Sequence, residues 1–147
     1  MDQAMAELAP EVRATVERCF LDAAFVADVG IRFLDCGPGW CECSLALAPR
    51  HMQHTGIVHA GVQATLADHA AGGAAFTVTP SGHHVLTAEF KLNLLRPAQG
   101  ESLWCRAAVL KPGRAIIVVE SEVYAEHAGK RSLTAKLNAT LAVVPIK

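Results

Sequence analysis

The sequence predicts a single α+β domain in which one curled antiparallel sheet of about six strands wraps around one long central helix. Three observations carry that prediction. From Val62 to Ala75 nearly every residue is small or aliphatic, so the helix expected at about His59 to Val78 is buried round most of its circumference rather than along one stripe. After Pro80-Ser81-Gly82, four long segments alternate apolar and polar residues with a period of two. Tight turns at Lys111-Pro112-Gly113-Arg114 and Ala128-Gly129 join them, and such turns connect antiparallel neighbours.

The remaining elements follow in order. Pro10, Val12, Val16, Cys19 and Phe20 have the spacing of an amphipathic helix from about Pro10 to Phe20, and proline suits its first turn. Ile31 to Cys36 and Trp40 to Leu47 flank Gly37-Pro38-Gly39 and read as a hairpin, with Cys41, Cys43, Leu45 and Leu47 alternating against Glu42 and Ser44. Ala48 to Val58 is a loop rich in His, Gln and Gly. The first strand after the helix is expected to set His84, Leu86, Ala88, Phe90, Leu92 and Leu94 on one face, and Thr87, Glu89, Lys91 and Asn93 on the other. Pro97 to Gly100 ends it; Leu103, Cys105, Ala107 and Val109 mark the next, and Ala115 to Glu126 returns. In the last strand Leu133, Ala135, Leu137, Ala139, Leu141 and Val143 oppose Ser132, Thr134, Lys136, Asn138 and Thr140. The whole of 1–147 is expected to be one domain, with an N-terminal helix at about 10–20 and a core at about 30–145.

Composition narrows the function. The 147 residues carry a net charge of −1, with 52% apolar and 18% charged side chains, so there is no basic field to attract nucleic acid. Cys19, Cys36, Cys41, Cys43 and Cys105 are scattered through apolar segments, as reduced buried thiols of a cytoplasmic protein would be. Met1 to Pro10 carries Asp2 and Glu7 and lacks the basic start and apolar run of an export signal. No apolar run reaches the roughly 20 residues of a membrane helix. The apolar excess predicts subunits that cover one another.

One carboxylate, Asp68, stands two turns inside the apolar helix, in His59-Ala60-Gly61-Val62-Gln63-Ala64-Thr65-Leu66-Ala67-Asp68. A charge there must be compensated by a basic partner or used in chemistry, and the residues alone leave both open. His51, His54 and His59 fit no zinc signature, so no metal is expected. Cys41 and Cys43 share a strand face and read as core, and Trp40, Trp104 and Tyr124 read as packing residues.

Taken together, Gln53, Gly56, His59-Ala60-Gly61, Leu66-Ala67-Asp68, Thr87-x-Glu89, Leu95-Arg96-Pro97-Ala98 with Gly100, and Gly113-Arg114 resemble the hotdog-fold acyl-CoA thioesterases of the phenylacetate-pathway type. The resemblance covers nearly everything after Gly30. It implies a hotdog sheet wrapped on its helix, a dimer whose sheets join, and a homotetramer built as a dimer of dimers. It implies acyl-CoA, aryl-acetyl or medium-chain, as substrate, with CoA present only as part of it and no further cofactor. The family's catalytic carboxylate falls on Asp68, and the hydroxyl that assists the attacking water falls on Thr87. The family motif reads His-Gly-Gly, and its middle residue offers a backbone N–H to the thioester oxygen; Ala60 stands there, between His59 and Gly61. Gln53 stands where the family has an Asn that places the thioester or water.

Thioester hydrolysis needs a base or nucleophile at the carbonyl carbon and donors where charge grows on oxygen. The first-turn amides around Ala60 and Gly61 are such donors, favoured by the helix dipole. Asp68 lies eight residues beyond Ala60, about 12 Å along the axis. One helix cannot bring both to one carbonyl, whereas two antiparallel copies across a twofold axis make two composite sites. Asp68 acts there as a base on water, oriented by Thr87, or as a direct nucleophile. Arg96, Arg114, Lys111 and Arg50 are candidate partners for the CoA phosphates, and the helix faces and the Trp40 hairpin for the acyl slot. The competing readings are a non-catalytic acyl-CoA binding or sensing module and an acyl-thioester hydratase or dehydratase; the latter needs a His and carboxylate pair that His59 and Asp68 do not resemble.

Overall fold

The computed structural model describes residues 7–147, so the reading of Met1 to Pro10 as free of an export signal lies mostly outside them. Helix α1 (Pro10–Asp22) starts on its proline and buries Val16 and Phe20, one turn apart. A second short helix, α2 (Ala24–Val29), was not foreseen; Gly30 ends it at φ 95°, its amide bonded to the Val26 and Ala27 carbonyls. β1 (Arg32–Gly37) and β2 (Trp40–Ala46) form the expected hairpin. A single 3-10 turn at Pro49–His51 punctuates the following loop.

Helix α3 (Ala60–Phe76) is the axis of the domain, with Leu66, Ala67, Ala70, Ala71, Ala74 and Ala75 wholly buried. Its small residues let it lie close on the sheet: a Cβ at Gly73 would stand 2.7 Å from the Cys41 sulfur. Four long strands follow, β3 (His83–Leu94), β4 (Ser102–Pro112), β5 (Ile116–His127) and β6 (Lys130–Pro145). The sheet is antiparallel throughout in the order β1-β2-β4-β5-β6-β3. Its inner face presents Cys41, Cys43, Leu45, Leu103, Cys105, Val119, Val123, Leu137 and Leu141 to α3. All five cysteines are free, and burial pushes the Cys41 and Cys43 thiols up, away from thiolate. No helix among the described residues is long and apolar enough to cross a membrane.

Two bulges change faces that the period-two pattern had set. In β3, Thr87 pairs with Leu141 and Glu89 with Thr140, leaving Ala88 unpaired. Thr87, Phe90, Leu92 and Leu94 therefore lie opposite inward residues of β6, while His84, Leu86, Glu89, Lys91 and Asn93 take the outer face. The expected single face running from His84 to Leu94 is thus broken at Ala88, and Thr87 belongs to the helix side. In β6, Val123 pairs with Ala135 and Tyr124 with Leu133, which leaves Thr134 over. Thr134 was expected outside and is buried.

Candidate active site

Asp68 projects from the middle of α3 at a point where the sheet grips the helix backbone. The Ser121 hydroxyl donates to the Ala67 carbonyl at 2.8 Å, and the Cys43 thiol to the Leu66 carbonyl at 3.8 Å. The bulge at Ala88 turns Thr87 inward, and its hydroxyl donates to the Asp68 carboxylate at 2.8 Å. Among the described residues Asp68 takes part in no ion pair. A compensating cation is therefore not what holds this charge. The pair opens on a groove of about 1070 Å³ between α1, α3 and β3, walled by Val16, Phe20, Phe76, Val85 and Leu141. Helix faces line this groove as expected, α1 with Val16 and Phe20 and α3 with Phe76, but the Trp40 hairpin does not; Trp40 instead has the Arg106 guanidinium 4.4 Å from its ring centroid.

The other half of the expected machinery sits at the head of α3. His59 is the N-cap, and its ring Nδ1 accepts from the Gly61 amide at 2.9 Å. That ring crowds Gly61, where a Cβ would stand 3.0 Å from Nδ1, so the cap favours glycine. The Val62 amide donates to the His59 carbonyl. Of these first-turn amides, the Ala60 N–H alone has no partner among the described residues. Gly61, expected to share in substrate binding through its amide, has that amide committed to the cap. Gln53 and Ala60 line a cleft of about 310 Å³ with Leu94, Leu95 and Arg96.

The basic residues are dispersed. Arg96 donates to the Leu133 carbonyl at 2.9 Å and stands between this cleft and a more polar cavity of about 690 Å³ that includes Glu101 and His127. Arg114 lies in the β4–β5 turn, next to Ala115, whose carbonyl accepts from the Val143 amide; this is the opposite end of the sheet from Arg96. One protomer does not bring the two together. Arg50 is tied to the Val29 carbonyl, as is His51, whose Nε2 donates to the same oxygen while Nδ1 accepts from the Ala48 amide. Both are structural struts. Among the described residues, no group of three or more His, Cys, Asp or Glu is arranged to hold a metal ion.

Two polar residues escaped the sequence analysis. Gln63, buried on α3 beside the cleft, accepts from the Thr134 hydroxyl at 2.7 Å. Its partner is inside only because of the β6 bulge. His69 lines the groove beside Asp68, its ring edge-on to Phe20 with centroids 4.4 Å apart. Burial holds that ring below the ordinary imidazole range, against the opposing pull of the Asp68 charge and a backbone contact to Cys19. The Cys19 thiol lines the same groove, but among the described residues it makes no hydrogen bond to His69, and burial raises it. It is no activated nucleophile.

The fold recurs in solved structures. A thioesterase family protein from Silicibacter pomeroyi is 36% identical, with 89% of this chain and 96% of that one superposed at a TM-score of 0.86. A thioesterase from Haemophilus influenzae, 24% identical, shares the fold over 96% of both chains at 0.83. A conserved Pseudomonas aeruginosa protein is 30% identical over 82% of this chain and 94% of its own, at 0.72. The family model described as the thioesterase superfamily matches residues 55–134, the stretch that holds Ala60, Asp68, Thr87 and Arg96. With that match over more than half of its length, on a six-stranded sheet wrapped about one helix, the chain belongs to the thioesterase superfamily of hotdog fold.

Proposed function

We propose that this protein hydrolyses acyl-CoA, aryl-acetyl or medium-chain, to the free acid and CoA, at two equivalent sites that each draw on both subunits of a dimer. The observation that carries the reading is the division of the machinery. Asp68 and Thr87 are hydrogen-bonded at one cavity, while the unpartnered Ala60 amide lies with Gln53 at another. The open side of β3 supports the way they meet. Among the described residues it is an edge strand with no partner on its outer side, and Leu86, Phe90 and Leu94 are 55%, 43% and 52% exposed. Twofold antiparallel pairing of β3 with its copy about Phe90 and Lys91 sets Thr87 of one strand opposite the Asn93–Leu94 end of the other. That register brings the carboxylate of one protomer to the helix head of its partner.

In this site the Ala60 amide donates to the thioester oxygen as it gains charge, Gln53 fixes the carbonyl or the water, and Thr87 steadies Asp68 or its water. Asp68 takes the proton of that water or attacks directly. Hydrolysis changes no oxidation state, so the reading calls for no redox cofactor; with Asp68 to activate the water or attack directly it calls for no metal either, and CoA enters only as substrate. In this reading Arg96 and, from the far end of the sheet, Arg114 are the candidate partners of the CoA phosphates, with His59 and Gly61 shaping the helix head. Two such dimers joined as a homotetramer would cover Leu21 and Phe25, which stay 69% and 67% exposed. Five free cysteines suit a cytoplasmic setting. Likeness to the phenylacetate-pathway type rests on the motifs alone.

The test is release of free CoA thiol from a panel of acyl-CoAs by the wild type and Asp68→Asn. The expected result is turnover by the wild type and a loss of about 10²–10⁴-fold in kcat for the variant, with the same oligomer by light scattering. Acyl-CoA binding without thiol release would identify a sensing module, and hydration of an enoyl-CoA would identify a hydratase. Equal turnover by the variant would refute the assignment of Asp68.

A further inference from the structure

We infer that Gln63 is a second donor at the thioester oxygen: its side-chain Nε2, aimed by Thr134, joins the Ala60 amide where the carbonyl gains charge. The inference rests on hydrolysis at the shared site and adds one catalytic group and one positioning residue to it.

Gln63 is only 2% exposed, yet it lines the cleft that holds Ala60 and Gln53. It stands one turn beyond Ala60 on the same face of α3, and helical side chains lean toward the N-terminus, so its carboxamide reaches back over the turn that carries the free amide. The buried Thr134 hydroxyl fixes its orientation. That oxygen is 2.7 Å from Gln63 Oε1 and 3.2 Å from the Val123 carbonyl, and only the shorter distance is that of a good O–H···O bond, so the proton goes to Gln63. With Oε1 taken, Nε2 is left with two N–H groups and no partner among the described residues. It is not sealed off: among those residues only His69 Nε2 is both enclosed and unpartnered. The surface that Gln63 Nε2 retains is therefore in the cleft.

The reaction needs such a donor. An oxygen that gains negative charge accepts more than one hydrogen bond, and a single backbone N–H leaves the rest unmet. The next amides of the helix cannot supply it, since Gly61 N–H is given to the His59 ring and Val62 N–H to the His59 carbonyl. A side chain must. Of the others that line the cleft, Arg96 already donates to the Leu133 carbonyl, and Gln53, half-buried on its loop, has no side-chain bond to fix it. Gln63 alone is both buried and clamped at its far atom. A donor held in place before the substrate arrives loses little in reorganisation when charge develops.

The experiment measures kcat and KM for thiol release from octanoyl-CoA and phenylacetyl-CoA, with kcat taken per folded dimer from thermal unfolding curves. Gln63→Leu keeps the bulk and deletes the donor, and the Thr134 hydroxyl it frees can turn to the Val123 carbonyl. It should lower kcat about 10²-fold and leave KM within about twofold, the signature of a contact made only in the transition state. Thr134→Val releases the carboxamide and should cost about tenfold in kcat; Thr134→Ser keeps the hydroxyl and should restore it. Adding Thr134→Val to Gln63→Leu should cost nothing more, because Thr134 acts only through Gln63. That double variant, an apolar pair with no stranded hydroxyl, also replaces the single one if Gln63→Leu melts below the assay temperature. An unchanged kcat in the Gln63 variant, a rise in KM alone, or a Thr134→Ser as slow as Thr134→Val overturns the inference. A silent Gln63→Leu beside an inactive Asp68→Asn overturns it and leaves hydrolysis standing, whereas no thiol release by the wild type overturns both.

Discussion

The cleft at the head of α3 and the groove along its middle differ in what each lacks. The cleft has a free amide, Ala60, and an amide side chain, Gln53, but no carboxylate; the groove has the carboxylate, gripped by Thr87, and lies away from the head of α3. They differ also in how their buried polar groups are settled. Gln63 beside the cleft is bonded to Thr134, whereas His69 in the groove has an unpaired nitrogen. A helix about 25 Å long can be an excellent carrier of both halves of an active site and still be unable to assemble one. The bulge at Ala88 and the unpaired edge of β3 turn that limitation into a reason to dimerise.

The comparison can be broken at the cleft by Ala60→Pro. Proline is well tolerated at the first helical position, and His59 already has the extended backbone, φ −62° and ψ 137°, that a following proline requires. The substitution deletes one N–H and little else. It should lower kcat by about 10²–10³-fold, with the thermal midpoint and the oligomer unchanged; an unaffected kcat would remove the Ala60 amide from the mechanism.

A smaller effect separates the two buried polar groups. The His69 ring in the folded state has its affinity for protons reduced, so between its folded pKa and the ordinary value near 6.5 the unfolded chain binds more protons. Stability from this group is therefore complete above about pH 6.5 and falls as pH drops through the window below it. Melting curves from pH 7.5 to 5 should show a steeper acid loss in wild type than in His69→Gln, by less than about 1.4 kcal/mol per pH unit. Parallel curves would mean that the ring is solvated and free to charge.

Much of the architecture was legible because side-chain period survives in the sequence. The all-round apolarity of α3 and the alternation in β2, β4, β5 and β6 reflect burial directly. Helix α2 was not legible, since six residues give too short a window for a 3.6-residue period. The face of β3 misled because Leu86, Ala88 and Phe90 continue an unbroken apolar alternation through a bulge; Leu86 is apolar on the outer face, beside the open edge, while Phe90 is apolar on the inner one. Asp68, Ala60 and Thr87 could be named from motif and spacing. Gln63 and His69 could not, because their roles come from Thr134 and Phe20, 71 and 49 residues away in sequence and brought near only by the fold. The one available signal was that each is a polar side chain within an otherwise apolar helix.

The central claim is that each site takes its carboxylate from one protomer and its amide from the other, and mixing two inactive variants tests it most directly. Asp68→Asn and Ala60→Pro are unfolded together in equal amounts, refolded, and assayed for thiol release. With shared sites, every mixed dimer contains one wholly native site, and half of the dimers are mixed, so activity should return to about one quarter of wild type. Activity no greater than that of the two variants assayed separately would contradict the account, because it would mean that both groups act from the same chain.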